Sequence, residues 1–428
     1  MIIIEAKLKG TTSQYAKLEE AIRTSQFVRN KCLRFWMDNK GVTRNDLQKL
    51  CSQLAKNSET PWVQRLNSQA RQSAADRAWQ AISRFYTNCK QNKSGKKGFP
   101  KYKKFSRSVE YKKTGWKLSA DRKEIEFTDG FKAGKFALWT SRDLLFYSEQ
   151  QIQRVRIVRR ADGYYCQFLI QWERKEEHEF NGNVVGIDLG LKEFYTDSNG
   201  NTVENPRYLR KSEKRLKKLQ RRVSKRYQRG KKQSKRYHKA RKALAKQHLK
   251  ISRQRKDRAI KDALALVKSN DLIVYEDLKI KNMVKNHNLA KSISDASWYQ
   301  FVQWLQYFAK IHGSICIPVA PHYTTINCSG CGEKVEKTLS TRTHQCPKCK
   351  LVLDRDWNAA RNILAKGLQV LAEYLNSSEG HSRTGVKNPN ARGENDHWFV
   401  DRDIDNLSRL VEPRTVVSQE SPTITRSV

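Results

Sequence analysis

The sequence predicts a multi-domain α+β protein, and three observations carry that expectation. A helical pattern fills residues 12–92, β-type segments occupy 110–175, and strands alternate with long helices from about 181 onward. At 428 residues the chain has room for two or three domains with a substantial core.

Charge sets the partner class. With 85 basic and 43 acidic side chains the formal net charge is +42, spread over most of the chain. Such a field points to a polyphosphate partner, the plainer reading being a ribosomal-type or simply soluble basic protein. A membrane role is not expected, because no apolar run reaches 18 residues and MIIIEAKLKG lacks the character of a secretory signal. Of nine cysteines, Cys32, Cys51, Cys89, Cys166 and Cys316 sit among apolar neighbours and read as small hydrophobes. The other four form two Cys-x-x-Cys pairs, which in a reducing cytoplasm read as metal ligands.

In chain order, residues 1–8 predict a strand. Trp79, Ile82, Phe85 and Tyr86 then mark one face of a helix, with Arg71, Arg77 and Arg84 off it, the pattern of a core stripe. The stretch KQNKSGKKGFPKYKKFSR interleaves Phe99, Tyr102 and Phe105 with lysines, as a base-stacking loop or an ordinary solvated linker would. VRIVRRADGYYCQFLIQW reads as a hairpin turning at Ala161-Asp162-Gly163, in a small antiparallel barrel or sandwich.

The next segment, FNGNVVGIDLGLKEFYTDSNGN, holds a strand at Val184–Leu189, a second strand and a turn at Ser198–Asn201. Residues 207–268 carry 27 Lys or Arg against three acids and predict two long basic helices meeting near Gly230. Like charges at that density repel unless a polyanion lies against them; Lys217, Lys218, Arg221, Arg222, Lys225 and Arg226 are the candidate contacts. DLIVYEDL (271–278) reads as a buried strand, 295–311 as an amphipathic helix, SICIPVAP as a strand and DWNAARNILAKGLQVLAEYL as the last helix. Residues 376–428 lose periodicity and predict a disordered tail.

Cys328-Ser-Gly-Cys331 and Cys346-Pro-Lys-Cys349 are separated by 14 residues. Four thiolates in two such turns suit one tetrahedral Zn²⁺ with no open position, which is a structural site.

Three acids share a context. Asp188 ends the strand VVGID, Glu276 ends LIVYE, and Asp356 opens the last helix in DRDWNAA. Acids at the ends of apolar strands are costly unless something positive offsets their burial. Divalent metal fits best, and two Mg²⁺ ions could clamp the attacking and leaving oxygens of a phosphodiester. Each acid also has a plain structural reading: Asp188 as a turn residue, Glu276 as a surface charge, Asp354 or Asp356 as a helix N-cap. Strand, turn, strand, later strand and terminal helix follow the order in which an RNase H-like sheet delivers its acids.

GIDLG, YEDL, the CSGC and CPKC pairs and DRDWNAARNI resemble, in order and spacing, the TnpB proteins of insertion sequences, relatives of the type V CRISPR effector nucleases. SQFVRNKCLRFW, GKKGFPKYKK and LAKSISDASWYQF are similar to further family motifs, so the resemblance spans about residues 1–372. It implies a RuvC-type nuclease domain (181–320 and 354–375) interrupted by a zinc ribbon (321–353). It further implies a β-barrel wedge domain (1–10 and 105–180) and a helical recognition domain (11–104). Its implied activity is RNA-guided cleavage of double-stranded DNA beside a short flanking motif, with the guide drawn from the end of the transposable element. Carried over by motif, the catalytic carboxylates are Asp188, Glu276 and Asp356, holding two Mg²⁺, and Asp354 receives no role. The ribbon would help load substrate strands. A monomer working in the cytoplasm or nucleoid of a bacterium or archaeon is compatible with this. The alternatives are a nuclease-silent guided regulator, a structural RNA-binding protein and a strand-transferring transposase.

Overall fold

The strand β1 (Ile2–Lys9) organises the first of two compact units, Met1–Arg174. The structure is a computed structural model that describes residues 1–378 apart from 177 and 339, together with 409–411. Ile2, Ile4, Ala6 and Leu8 of β1 are buried and alternate with more exposed positions, the period of a strand covered on one face. Three helices follow: α1 (Thr12–Asp38), α2 (Arg44–Lys56) and α3 (Ser68–Lys90). Thr11 with Gln14 and Thr43 with Asp46 close reciprocal caps on α1 and α2. These helices share a core of Val28, Leu33, Leu47, Ala74, Ala78 and Ile82, against which Trp79 packs. Phe99 of the basic loop joins it, 5.3 Å from Phe85 and 5.6 Å from Trp36 between ring centres, whereas Phe105 is 85% exposed. The loop is therefore part anchored linker and part open aromatic surface.

Six more strands complete the unit: β2 (Ser108–Tyr111), β3 (Trp116–Leu118), β4 (Glu124–Phe127), β5 (Lys135–Trp139), β6 (Ile152–Arg160) and β7 (Gly163–Ile170). The β6–β7 hairpin turns where expected, pairing Arg160 with Gly163. The seven strands form one antiparallel sheet in the order β2-β6-β7-β1-β5-β4-β3. It curls until both ends share one core, with the Tyr111 and Phe127 rings 5.2 Å apart. No ladder joins β2 to β3 among the described residues, so the expected barrel is a curled sheet rather than a closed cylinder.

In the second unit, which begins at Lys175, the strands are β8 (Val184–Leu189), β9 (Glu193–Asp197) and β10 (Thr202–Glu204). The helices α4 (Tyr208–Ser224) and α5 (Lys235–Ser269) follow, with Gly230 between them in the left-handed region at φ +75°. Then come β11 (Leu272–Glu276), α6 (Ile280–Met283), α7 (His287–Ala296), α8 (Trp298–His312) and β12 (Ile315–Val319). A short hairpin, β13 (Thr343–Gln345) with β14 (Val352–Asp354), leads into α9 (Arg355–Ser378). The helix expected over 295–311 starts at Trp298, because Ser297 adopts a left-handed conformation (φ 59°) that separates it from α7.

The main sheet runs β10-β9-β8-β11-β12, with β8, β11 and β12 parallel and β9 and β10 antiparallel. Period two assigns its faces. Val185, Ile187, Ile273 and Tyr275 pack with α5 and α8, while Leu272, Val274, Ile315 and Ile317 pack with Ile363 and Leu371 of α9. By the same alternation Gly186, Asp188 and Glu276 belong to the α9 face. α9 lies so close that a Cβ on Gly186 would sit 2.4 Å from the Ala360 carbonyl oxygen.

Most of the segment expected to be a disordered tail lies outside the described residues. Arg409–Val411 does not fit that expectation: Leu410 is buried in the core shared by β11, β12 and α9, with Val411 against it. Three residues are too short a stretch for any periodic signal.

Backbone oxygen cannot yield as a flexible side chain can, so Gly186→Ala should cost about 2–3 kcal/mol. Thermal unfolding of the variant would measure this, and an unchanged Tm would contradict the close helix–sheet contact.

Candidate active site and metal centre

β8 and β11 lie side by side in register up to Ile187 opposite Tyr275. One residue further along each strand stand Asp188 and Glu276, level with each other and on the α9 face. Asp356 enters from the first turn of α9. The three acids thus come from a strand end, a neighbouring strand end and a helix start.

Their electrostatics report that proximity. Burial pushes the Asp188 carboxyl well above the ordinary range, and Glu276, Asp356 and Asp354 push it further; the Arg355 guanidinium opposes them. Burial also raises Glu276, which is 8% exposed, against the Thr324 hydroxyl and the Lys366 ammonium. Thr324 Oγ1 donates to Glu276 Oε1 at 2.6 Å. Asp356 is paired with Arg355 Nε at 3.1 Å and faces Arg342 Nη1 at 3.7 Å. Among the described residues no carboxylate trio offers ligand atoms all within 4.8 Å of one another. Like charges in a low-dielectric pocket resist closer approach without a cation between them.

The two acids flanking Arg355 have different tasks. Asp354 Oδ1 accepts the backbone N–H of Asp356 at 2.8 Å and of Trp357 at 3.4 Å, so Asp354 is the N-cap of α9. Asp356 is left to face the other carboxylates.

The rest of the DRDWNAARNI motif is fixing. Trp357 Nε1 donates to the Ser198 carbonyl at 3.0 Å, and Ala360 meets Gly186. Asn358 and Asn362, four residues apart on one helix face, reach the cysteine module: Asn358 Nδ2 donates to Asn327 O at 2.8 Å and its Oδ1 accepts from Ser329 N at 2.9 Å. Asn362 Nδ2 donates to the Asn327 and Thr324 carbonyls at 2.7 and 2.8 Å. Thr324, Asn358, Asn362 and Lys366 were not singled out from the sequence. Two asparagines inside a helix, where asparagine is a poor former, were the available signal.

Cys328, Cys331, Cys346 and Cys349 place their sulfurs within 4.8 Å of one another, with 3.5 Å between Cys328 and Cys349 and between Cys331 and Cys346. The two knuckles match. Gly332 N donates to Cys328 O at 2.9 Å and Lys350 N to Cys346 O at 3.1 Å, and both fourth-following residues are left-handed, φ +77° and 63°. Backbone N–H groups of Cys349 and Lys348 pull the Cys346 thiol down to about 6. The Leu351 N–H acts the same way on Cys349, yet burial and the neighbouring sulfurs push that thiol up to about 12. Four sulfurs this close cannot all ionise alone, and a divalent, thiophilic ion such as Zn²⁺ fits the donor set.

The six basic candidates on and just beyond α4, Lys217, Lys218, Arg221, Arg222, Lys225 and Arg226, are all solvent-exposed. Lys217 pairs with Glu213 at 3.1 Å, and none of the six pairs with the acid cluster. Asp295, 6% exposed, holds the root of this basic helix, accepting from Leu209 N at 2.9 Å and from Arg255 Nη2 at 2.8 Å.

Comparison with known proteins shows what a chain with this sheet, acid trio and thiolate centre is similar to. A family model described as OrfB_IS605, probable transposase, matches residues 167–287, and one described as Cas12f1-like, TNB domain, matches 298–363. A putative RNA-guided DNA endonuclease of Streptomyces pristinaespiralis is 32% identical over 206 residues, 47% of this chain and 50% of that relative. The chain therefore spans about half the length of that relative. The putative RNA-guided DNA endonuclease InsQ of Escherichia coli K12 is 26% identical over 332 residues, 74% of this chain and 78% of the relative. Other matched relatives bear TnpB-like names. The structure titled mini-RNA-guided endonuclease CRISPR-Cas_phi3 shares the fold at TM-score 0.53 and 9% identity, covering 85% of this chain and 92% of that one. The chain is thus similar to TnpB-like proteins, as its motifs indicated. No helix among the described residues is long and apolar enough to cross a membrane.

Two outcomes follow from the local chemistry. Asp354→Ala should lower stability by about 1 kcal/mol through loss of the cap. Asp356→Asn, which relieves repulsion, should change it by less than about 0.5 kcal/mol or raise it; denaturant unfolding of both separates the roles. The second concerns pH. Asp188 keeps its proton in the folded chain where the unfolded chain has lost it, so the folded state binds more protons there and stability falls as pH rises. That loss begins above the unfolded carboxyl value of about 3.9 and ends at the raised folded value. In buffer free of added divalent ions, Asp188→Asn should flatten the decline in Tm between pH 4.5 and 7.5, and parallel curves would contradict it.

Proposed function

We propose that this chain is an RNA-guided endonuclease of a transposable element that cuts double-stranded DNA beside a short flanking motif. One observation carries the proposal: Asp188, Glu276 and Asp356, far apart in sequence, converge on the α9 face of one sheet, where burial and the charges of Glu276 and Asp356 raise the Asp188 carboxyl. The relatives' names supply the guide and the DNA substrate, and the +42 net charge supports a polyphosphate partner.

In this reading residues 181–320 and 354–375 form a RuvC-type nuclease domain and 321–353 its zinc ribbon. Residues 1–10 with 105–180 form the wedge, and 11–104 the recognition domain. Asp188, Glu276 and Asp356 would hold two Mg²⁺, and Cys328, Cys331, Cys346 and Cys349 one Zn²⁺. Bound Mg²⁺ would supply Lewis-acid charge for in-line phosphodiester hydrolysis.

The chain's own residues do the placing. The β8–β11 pairing sets Asp188 and Glu276 side by side, Thr324 fixes one Glu276 oxygen, and the Asp354 cap aims α9 so that Asp356 faces them. Arg342 and Arg355, beside Asp356, are placed to meet a phosphate once cations take over the carboxylate charge. Lys217, Lys218, Arg221, Arg222, Lys225 and Arg226 would contact phosphates, giving affinity, while a guide would give sequence.

The test is to express the protein with its native flanking DNA, sequence the RNA that co-purifies, and offer a matching plasmid with Mg²⁺. Cleavage is expected from the wild type. Asp188→Ala, Glu276→Ala and Asp356→Ala should each lower it by more than about 10³-fold with binding retained. Guided binding by the wild type without cutting would make the protein a silent regulator instead.

A further inference from the structure

The cysteine module and the acid cluster are joined by hydrogen bonds, and the join passes through Thr324. Its hydroxyl, 2.6 Å from Glu276 Oε1, belongs to a side chain 2% exposed, and Glu276 is 8% exposed. Burial on both sides shields that bond, so it fixes which way the carboxylate turns at the end of β11. A hydroxyl on Oε1 leaves Oε2 free for a cation.

Thr324 is held as firmly as the acid it holds. Its carbonyl accepts from Asn362 of α9 at 2.8 Å, and the same amide grips Asn327 O at 2.7 Å. Asn327 N donates to Tyr323 O at 3.0 Å, with Tyr323 in the left-handed region at φ 63°. Asn358, fully buried, bonds Asn327 O and Ser329 N on either side of Cys328, the first sulfur of the metal centre. Cys328, Asn327, Thr324 and Glu276 therefore form one chain of contacts, clamped along its length by α9. The start of α9 also delivers Asp356.

We propose that Thr324 is a positioning residue for the divalent-cation site, and that through it a loaded cysteine centre fixes the Glu276 carboxylate. The inference rests on the proposed metal-holding role of Asp188, Glu276 and Asp356. An emptied thiolate centre frees the Cys328 turn, the Thr324 hydroxyl loses its fixed place, and Glu276 turns freely. The ribbon then acts on cation binding, in addition to any part in guiding strands. Loss of a hydrogen bond that orients a metal ligand lowers metal affinity by about 10- to 100-fold.

The test uses the full chain with its co-purified RNA as wild type, Thr324→Val, Thr324→Ser and Glu276→Gln. Valine keeps the shape and removes the hydroxyl; serine keeps the hydroxyl. Mn²⁺ binding is titrated by electron paramagnetic resonance, zinc per chain is counted by mass spectrometry, and the Mg²⁺ dependence of plasmid cleavage is measured alongside. Thr324→Val is expected to retain one zinc, to bind Mn²⁺ about 10-fold more weakly and to need correspondingly more Mg²⁺, with Thr324→Ser close to wild type. Partial zinc removal should weaken Mn²⁺ binding in the wild type and add little in Thr324→Val. Equal Mn²⁺ affinity in wild type and Thr324→Val would overturn the inference, as would serine failing to rescue. Undiminished Mn²⁺ binding by Glu276→Gln would instead sink the underlying assignment of the acids, which keeps the two failures distinct.

Discussion

Mutual repulsion among buried carboxylates is the constraint on which the second unit is built. Asp188 and Glu276, whose charges are poorly solvated, are brought together with the half-buried Asp356 and the exposed Asp354, and each is restrained by a different element. Strand pairing fixes Asp188, a threonine hydroxyl fixes Glu276, two arginines flank Asp356, and Asp354 is occupied by helix capping. Such an arrangement is unfavourable by itself and becomes favourable with positive charge among the acids. Backbone and side-chain bonds hold open a place that repulsion would otherwise disperse.

α9 is the element that reconciles these demands. Its first turn carries an acid, its next turns press against Gly186, and two asparagines bind the cysteine module. Its far end joins the core that also takes in Leu410. A single helix thus sets the distance from sheet to ribbon and from both to the acids. The absence of a side chain at Gly186 lets helix and sheet approach closely enough for this, so packing and site geometry share one cause.

The first unit follows a different logic. Its helices have one core of their own and share a second with the curled sheet, through Leu18, Ile22 and Ala70, and basic or aromatic side chains such as Phe105 are left on the surface. The basic helices α4 and α5 of the second unit likewise keep their charge in solvent, anchored at their root by Asp295. Surfaces of this kind suit phosphate contact, where affinity comes from the number of charges.

The strands, the two basic helices, the acids at strand ends and the four thiolates were legible because each has a local signature: period two, charge density, a polar residue closing an apolar run, fixed ligand spacing. Local signals failed where the deciding atoms are distant in the chain. The spacing within DRD cannot separate Asp354 from Asp356, because capping and facing the other acids differ only in where β8 and β11 lie. Closure of the first sheet depends on whether its edges meet. Thr324 looks ordinary in PHYTTINC, and its bond to Glu276 spans 48 residues. Leu410 is one apolar residue in a stretch without periodicity, and its burial is decided by a core made elsewhere. The sequence by itself determined which residues carry charge and which can ligate metal. Only the tertiary structure decided which carboxylate faces which, and what holds each in place, because electrostatic and hydrogen-bond energies depend on distances that chain separation does not set.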